Sequence, residues 1–188
     1  NRFLAEPITG NQIFDRVPYA IGLRQKVPTG RGMDFVVISV HLHAQKGKNK
    51  VEQVLDTQKR LNEVTTVFSW CDQLALDSGE KDCFFLGDMN MEDKEEIDGI
   101  LAAAPDWITL NKDASPTNLA SAAKRKPYDQ VFIRKERMHI IDPTLYIVDL
   151  RVQFPPVAGV SDSASTYIKF YSDHNPLYFR FNIANDDD

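Results

Sequence analysis

The chain has 188 residues, 43% of them hydrophobic and 10% aromatic, which is enough apolar material for the core of one globular domain. Its formal net charge of −5 argues against a purely electrostatic nucleic-acid binder, although a bound divalent cation would locally offset acidic side chains. No apolar run reaches the length of a membrane span. The two cysteines, Cys71 and Cys83, lack zinc-ligand spacing, so we expect two buried thiols and a leaning towards a reducing, cytoplasmic compartment.

Hydrophobic periodicity and turn residues predict alternating strands and helices. In chain order we expect strands at Tyr19–Arg24 and Phe35–Leu42, a helix at Val51–Leu76, a strand at Cys83–Leu86, a helix at Glu92–Ala104, and strands at Trp107–Leu110, Gln130–Ile133, Leu145–Val152 and Tyr178–Ile183. A turn with Pro28, Gly30 and Gly32 joins the first two strands. One mostly apolar face of the first helix is expected to pack on a sheet, namely Val51, Val54, Leu55, Gln58, Leu61, Thr65 and Phe68.

The most informative stretch of the chain is Leu86-Gly87-Asp88-Met89-Asn90, which directly follows the predicted strand Cys83–Leu86. On an extended backbone, residues two apart point to the same side, so Asp88 and Asn90 are expected to lie side by side at a strand tip. A carboxylate beside a carboxamide can orient a water and polarise a phosphate next to a hard metal ion. The alternative is a plain turn, because Gly, Asp and Asn are the usual turn residues.

Three further segments carry ionisable side chains where apolar runs begin or end. Val40-His41-Leu42 closes a predicted strand, Tyr128-Asp129-Gln130-Val131 opens another, and Ser172-Asp173-His174-Asn175-Pro176 precedes the last. A single histidine at a strand end is usually a surface or core residue. Four such segments in one domain predict a functional site, because a sheet holds the loops at its strand ends towards one cleft.

In this order, Val-His-Leu, Gly-Asp-Met-Asn, Tyr-Asp-Gln-Val and Ser-Asp-His-Asn-Pro resemble the motifs of the endonuclease/exonuclease/phosphatase superfamily. Phe14-Asp15-Arg16-Val17-Pro18 is similar to the Phe-x-Arg-x-Pro segment of its deoxyribonuclease branch, and the likeness extends to about Phe181. The resemblance implies an α/β fold, a four-layer sandwich of two packed, mostly antiparallel sheets flanked by helices. It also implies a hydrolase that depends on Mg²⁺ or Mn²⁺.

Members of this superfamily carry an earlier third of the fold, which we do not find before Phe14. That third holds an Asn, a metal-binding Glu and a second Glu that pairs with the first catalytic histidine, and Glu6 lacks the corresponding context. We therefore expect residues 1–184 to form the C-terminal two thirds of a catalytic domain with its N-terminal segment missing. An acidic tail follows at residues 185–188. On its own, this chain is expected to be inactive.

The resemblance implies a role for each motif residue. Asp88 would orient or deprotonate the attacking water, and Asn90 would polarise the scissile phosphate. Asp129 would fix the tautomer of His174 and raise its basicity, so that His174 binds a non-bridging oxygen or exchanges a proton. His41 would approach the leaving oxygen. The expected metal ligands are Asp88, Asn90 and Asp173, and the expected phosphate contacts are Arg16, Asn90 and His174.

Some of these assignments have plain structural alternatives. Arg16 could equally form a structural ion pair. Aligning Val40-His41-Leu42 with the strand end of the family selects His41, which leaves His43 as a solvated loop residue. His139 has no motif around it and is expected to be structural.

Two basic clusters border the predicted site in an otherwise acidic chain, and they consist of Lys46, Lys48 and Lys50 and of Lys124, Arg125 and Lys126. At the rim of a phosphodiesterase cleft they would contact a nucleic-acid backbone, and the alternative is two solvated loops. The inositol-phosphatase branch shows Trp-Cys-Asp-Arg at the third motif. This chain instead has Lys126-Pro127-Tyr128-Asp129, which is nearer to the nuclease pattern. Its Thr117-Asn118 also resembles the nuclease branch.

The sequence therefore favours a metal-dependent phosphodiester hydrolase that acts on DNA. One alternative is a phosphoesterase for a small-molecule or lipid phosphate of the inositol phosphate or sphingomyelin type. Another is a nonenzymatic binding remnant of the fold, against which the intact motif residues argue. The sequence patterns do not distinguish a DNA substrate from an RNA substrate, or endonucleolytic from exonucleolytic cutting.

Overall fold

The computed structural model describes residues 13–26, 32–149, 152, 168 and 172–181. Within these ranges the strands are β1 (Tyr19–Arg24), β2 (Asp34–His41), β3 (Cys83–Asp88), β4 (Trp107–Thr109), β5 (Asp129–Arg134), β6 (Ile141–Ile147) and β7 (Leu177–Phe181), and the helices are α1 (Lys50–Ser78) and α2 (Lys94–Ala103). Short 3-10 helices lie at Ala122–Lys124 and Lys135–Ile140. None of the described helices is long and apolar enough to cross a membrane. Glu6, Pro28, Gly30, Ile183 and the predicted acidic tail lie outside the described residues.

The strand register brings the ends of three strands together. Five strands form a mixed sheet in the order β1-β2-β3-β5-β4, and β6 pairs with β7 in an antiparallel sheet. β2 runs parallel to β3 with His41 beside Asp88, and β5 runs antiparallel to β3 with Asp129 beside Asp88. One end of the large sheet therefore carries three of the predicted site residues in adjacent positions.

The large sheet is covered on both faces. Successive residues of a strand point to opposite faces, so Phe84 and Phe85 of β3 enter different cores. The Phe85 ring packs edge-on against Phe68 of α1, with centroids 5.7 Å apart. The Phe84 ring lies 5.7 Å from that of Phe179 in β7, in the core between the two sheets. This arrangement confirms the predicted α/β fold of two packed, mostly antiparallel sheets with flanking helices.

The strand predicted at Leu145–Val152 is misplaced, because β6 spans Ile141–Ile147. Pro143 lies inside β6, and the pairing with β7 shifts register between Asp142 and Tyr146. A proline cannot donate a ladder hydrogen bond and is tolerated in a strand at an edge or a bulge. The proline at such a bulge concealed the beginning of this strand in the sequence pattern.

The predicted apolar face of α1 is wrong in the first turns of the helix. Val51, Val54 and Leu55 are 71%, 65% and 63% exposed. The buried face instead consists of Arg60, Glu63, Val64, Val67, Phe68, Cys71 and Leu74. Two charged residues, Arg60 and Glu63, lie on this buried face, so hydrophobicity alone indicated the wrong face in the first turns of the helix. Cys71 and Cys83 are buried free thiols, as predicted.

Candidate active site

A tight turn follows β3 and presents its polar residues. Gly87 has φ of 138°, and a Cβ at this position would lie 2.2 Å from the Val40 carbonyl oxygen, so only glycine lets β3 approach β2 here. Asn90 has φ of 52°, a left-handed conformation that asparagine tolerates, and its N–H donates to Asp88 Oδ1 at 2.9 Å. The expectation of an extended backbone through Asn90 is wrong, because the strand ends at Asp88.

The side chain of Asn90 is buried and anchored to the exit of β2. Its Nδ2 donates to the Leu42 carbonyl oxygen at 3.0 Å, and the Leu42 N–H donates to the Asp88 carbonyl at 2.9 Å. An amide group has two N–H donors, and within the described part of the chain only this one is used, which leaves one hydrogen for a ligand. Leu42 thus connects the end of β2 to both polar residues of the turn.

Asp129 and His174 form a hydrogen-bonded pair, with Nδ1 of the ring 2.7 Å from Asp129 Oδ2. Thr117 orients both partners. Its hydroxyl accepts from the Asp129 N–H at 3.0 Å, and its carbonyl accepts from the Asn175 N–H at 2.7 Å, immediately after His174. Thr117 is completely buried. In the sequence, Thr117 was noted only for its resemblance to the nuclease branch. The two hydrogen bonds show what it does: it positions the backbone next to Asp129 and next to His174.

Asp88 lies between two imidazole rings. Its Oδ2 is 3.3 Å from Nε2 of His41 and 3.6 Å from Nε2 of His174. The hydrogen bond to Asp129 raises the pKa of His174 to about 9, against the opposing effect of burial and with help from the Asp88 and Asp173 carboxylates. Burial raises the pKa of Asp88 above its ordinary value, against the hydrogen bond from the Asn90 N–H. A cationic His174 therefore faces a partly desolvated carboxyl group at neutral pH.

The donor atoms at this position fit a divalent cation. Asp88, Asp129 and His174 each offer a ligand atom, and these atoms lie within 4.8 Å of one another. Two carboxylates and an imidazole suit Mn²⁺, and carboxylates with water suit Mg²⁺. The Asp173 side chain is 73% exposed, with Oδ1 4.0 Å from His174 Nε2. Of the predicted ligands, Asp88 belongs to this group of three, and Asn90 and Asp173 do not.

The prediction that His43 is a solvated loop residue is wrong. His43 is only 8% exposed, and its Nδ1 and Nε2 lie 2.7 Å from carboxylate oxygens of Asp15 and Asp56. Burial favours a higher pKa for Asp56, but hydrogen bonds from His43 and from the N–H groups of Lys46 and Gly47 outweigh it and lower this pKa to about 2. A signal was present in the sequence: Asp56, Arg60 and Glu63 are four and three residues apart and share one face of α1.

The remaining predicted residues lie outside the cluster formed by His41, Asp88, Asp129 and His174. Arg16 is exposed, and the described contacts include none between it and the cluster. His139 is exposed, with Nδ1 2.9 Å from the Glu136 carbonyl oxygen. Asn118 forms a bridge with His174 and bonds to the backbone of Lys124 and Lys126, which brings that basic loop next to the site. Five of the six predicted basic residues are exposed, namely Lys46, Lys48, Lys50, Lys124 and Arg125.

Comparisons with known proteins identify the fold. No family model matches the sequence, and no curated protein matches it. The structure of D. rerio TDP2 with a single-strand DNA product matches 94% of this chain and 64% of that one, at 14% identity and a TM-score of 0.51. A humanized D. rerio TDP2 with 14 mutations matches 90% and 62% of the two chains, at 13% identity and a TM-score of 0.52. The endonuclease domain of TRAS1, a telomere-specific non-LTR retrotransposon, matches 88% and 62%, at 17% identity and a TM-score of 0.49.

TDP2 belongs to the endonuclease/exonuclease/phosphatase superfamily, and this chain has the fold of that superfamily, as its motifs indicated. The conclusion rests on the two TDP2 structures. The chain spans less than two thirds of the length of each of the three matched chains.

Proposed function

We propose that this protein hydrolyses phosphodiester bonds in DNA with the help of a bound divalent cation. The observation that supports this is the convergence of His41, Asp88, Asp129 and His174 at one end of the large sheet. Structures of the same fold include TDP2 with a single-strand DNA product. We also propose that residues 1–184 are part of a longer catalytic domain.

Each side chain of the cluster has a task in this reaction. Asp88 and Asp173 would hold the cation, which supplies positive charge at the phosphate oxygens when bound. Asp88 would also orient the attacking water or accept its proton. Asn90, held by Leu42, would donate its remaining amide hydrogen to a phosphate oxygen.

The two histidines differ in what they would do. The pKa of His174 is raised to about 9, so the ring carries a proton at neutral pH and would donate it in a hydrogen bond to a non-bridging oxygen. His41 has a 46% exposed side chain at the mouth of the site and would protonate the leaving oxygen. Arg16, the exposed lysines and Arg125 would contact phosphates further along the strand.

Hydrolysis assays with Mg²⁺ or Mn²⁺ test the proposal. In the complete protein, with the N-terminal segment restored, we expect nicking of supercoiled plasmid that a chelator abolishes. His174→Ala should lower turnover by at least ~10²-fold, the usual scale for a positioned acid or base. His139→Ala removes an exposed histidine outside the cluster and should stay within a few-fold of the wild type. Turnover of sphingomyelin or an inositol phosphate with plasmid and RNA left intact would show that the substrate class is wrong. Equal losses in both variants would show that the site lies elsewhere.

A further inference from the structure

Every polar group of His43 is hydrogen-bonded to a residue outside the catalytic cluster. Its ring contacts Asp15 and Asp56, its N–H donates to Glu63 Oε2 at 2.7 Å, and its carbonyl accepts from Arg60 at 3.4 Å. Three of these partners, Asp56, Arg60 and Glu63, lie on one face of α1. Both ring nitrogens thus face a carboxylate oxygen at hydrogen-bonding distance. A single residue therefore attaches the exit of β2 to the helix at several points.

The residue before His43 carries this attachment into the proposed site. Leu42 accepts the hydrogen bond of Asn90 Nδ2 at 3.0 Å and donates its N–H to the Asp88 carbonyl at 2.9 Å. One peptide unit therefore separates the buried ring from the carbonyl that orients Asn90. A shift of His43 would move the Leu42 carbonyl, because the peptide between them is planar and rigid.

The same group also holds the segment before β1. Asp15 contacts His43 and Lys59, and its own N–H donates to Glu63 Oε1 at 3.3 Å. The Glu63 carboxylate thus binds the backbone of both Asp15 and His43 and is 1% exposed. Arg16, a proposed phosphate contact, follows Asp15 directly.

We propose that His43 is a positioning residue for the phosphate-binding side of the site. It fixes the Leu42 carbonyl that holds Asn90, and it fixes Asp15 beside Arg16. The role needs a small planar group with two polar ring atoms, because the two carboxylates come from segments 41 residues apart in sequence and meet at different nitrogens of the ring. Its consequence for catalysis rests on the proposed function, whereas its consequence for the orientation of Asn90 does not.

The orientation of Asn90 can be measured without any activity assay. The Nδ2 hydrogens give side-chain amide signals in ¹⁵N-labelled protein, which Asn90→Ala identifies by their disappearance. His43→Gln keeps a polar side chain but lacks the two ring nitrogens that contact Asp15 and Asp56. We expect this variant to shift the Asn90 amide signals and to raise their hydrogen exchange about tenfold. Ile140→Val, a mild core change beyond the opposite end of β5, should leave them in place. Unchanged Asn90 signals in a folded His43→Gln protein would refute the positioning role.

A kinetic cycle tests the consequence for the reaction. We expect His43→Gln to lower kcat on DNA about tenfold in the wild-type background but less than twofold in the Asn90→Ala background, because residues that act through one another are not additive. An equal loss in both backgrounds would mean that His43 acts only on stability. If His43→Gln fails to fold, Asp56→Asn replaces it, since it removes one carboxylate charge while it keeps the shape. A complete wild-type protein, N-terminal segment included, that cleaves no DNA contradicts the proposed function alone, and the amide signals still decide the role of His43.

Discussion

Replacing Asp129 by Asn should lower the pKa of His174 and remove a pH-dependent part of the stability. In the folded protein this pKa is about 9, and the ordinary value is 6.5. The first cause of the increase is the hydrogen bond from the ring to the Asp129 carboxylate at 2.7 Å. Asparagine keeps the shape and an acceptor oxygen but loses the negative charge. The carboxylates of Asp88 and Asp173 remain nearby, so we expect a partial return, by more than about one pH unit.

The size of the stability effect follows from the two pKa values. A pKa difference of one unit corresponds to about 1.4 kcal/mol, so the increase from 6.5 to about 9 gives at most about 3.5 kcal/mol for a side chain that is 23% exposed. The pKa is higher in the folded state, so the charged ring stabilises the fold. This contribution is complete below pH 6.5 and is lost as the pH rises through 9.

Two measurements in chelator check this prediction. An NMR titration of the imidazole signals from pH 5 to 10 should give a His174 midpoint near 9 in the wild type and a clearly lower one in Asp129→Asn, with exposed His139 as an internal reference. Urea unfolding at pH 6 and pH 9.5 should show a larger loss of stability in the wild type than in the variant. A His174 midpoint that is the same in both proteins would refute the assigned cause.

Further predictions concern the turn, the cation and the substrate. Gly87→Ala should lower the free energy of unfolding by at least about 2 kcal/mol, because the new Cβ would meet the Val40 carbonyl. The control Gly99→Ala, in open space within α2, should raise it by about 0.5–1 kcal/mol. Equal effects of the two variants in urea unfolding would show that the turn is not strained. Asp88→Asn should weaken Mn²⁺ binding at least about tenfold by calorimetry, and an unchanged affinity would place the cation elsewhere. The double variant Lys48→Ala, Lys50→Ala should reduce the salt dependence of DNA binding. The slope of log binding constant against log salt concentration should fall by about 0.9 for each phosphate that these lysines neutralise. An unchanged slope would show that the two lysines lie outside the DNA interface.

Local patterns determined much of the framework. The apolar runs before His41 and Asp88 predicted β2 and β3, because a buried strand needs a continuous apolar segment. The order of four short motifs then indicated which fold joins them, and the structural matches confirm that fold. The sequence could not show which face of α1 is buried, because Arg60 and Glu63 are inside through hydrogen bonds rather than hydrophobicity.

Apart from β6, the sequence by itself determined approximately where the strands lie and which chemistry-bearing residues stand near their ends, since strand and turn tendencies act over a few neighbouring residues. Only the tertiary structure decided how these residues meet. The contacts of His43 with Asp15 and of Asn90 with Leu42 join positions 28 and 48 residues apart. Such contacts depend on the packing of whole elements and on the hydrogen bonds that hold the buried His43 and Asn90, and no local pattern encodes them.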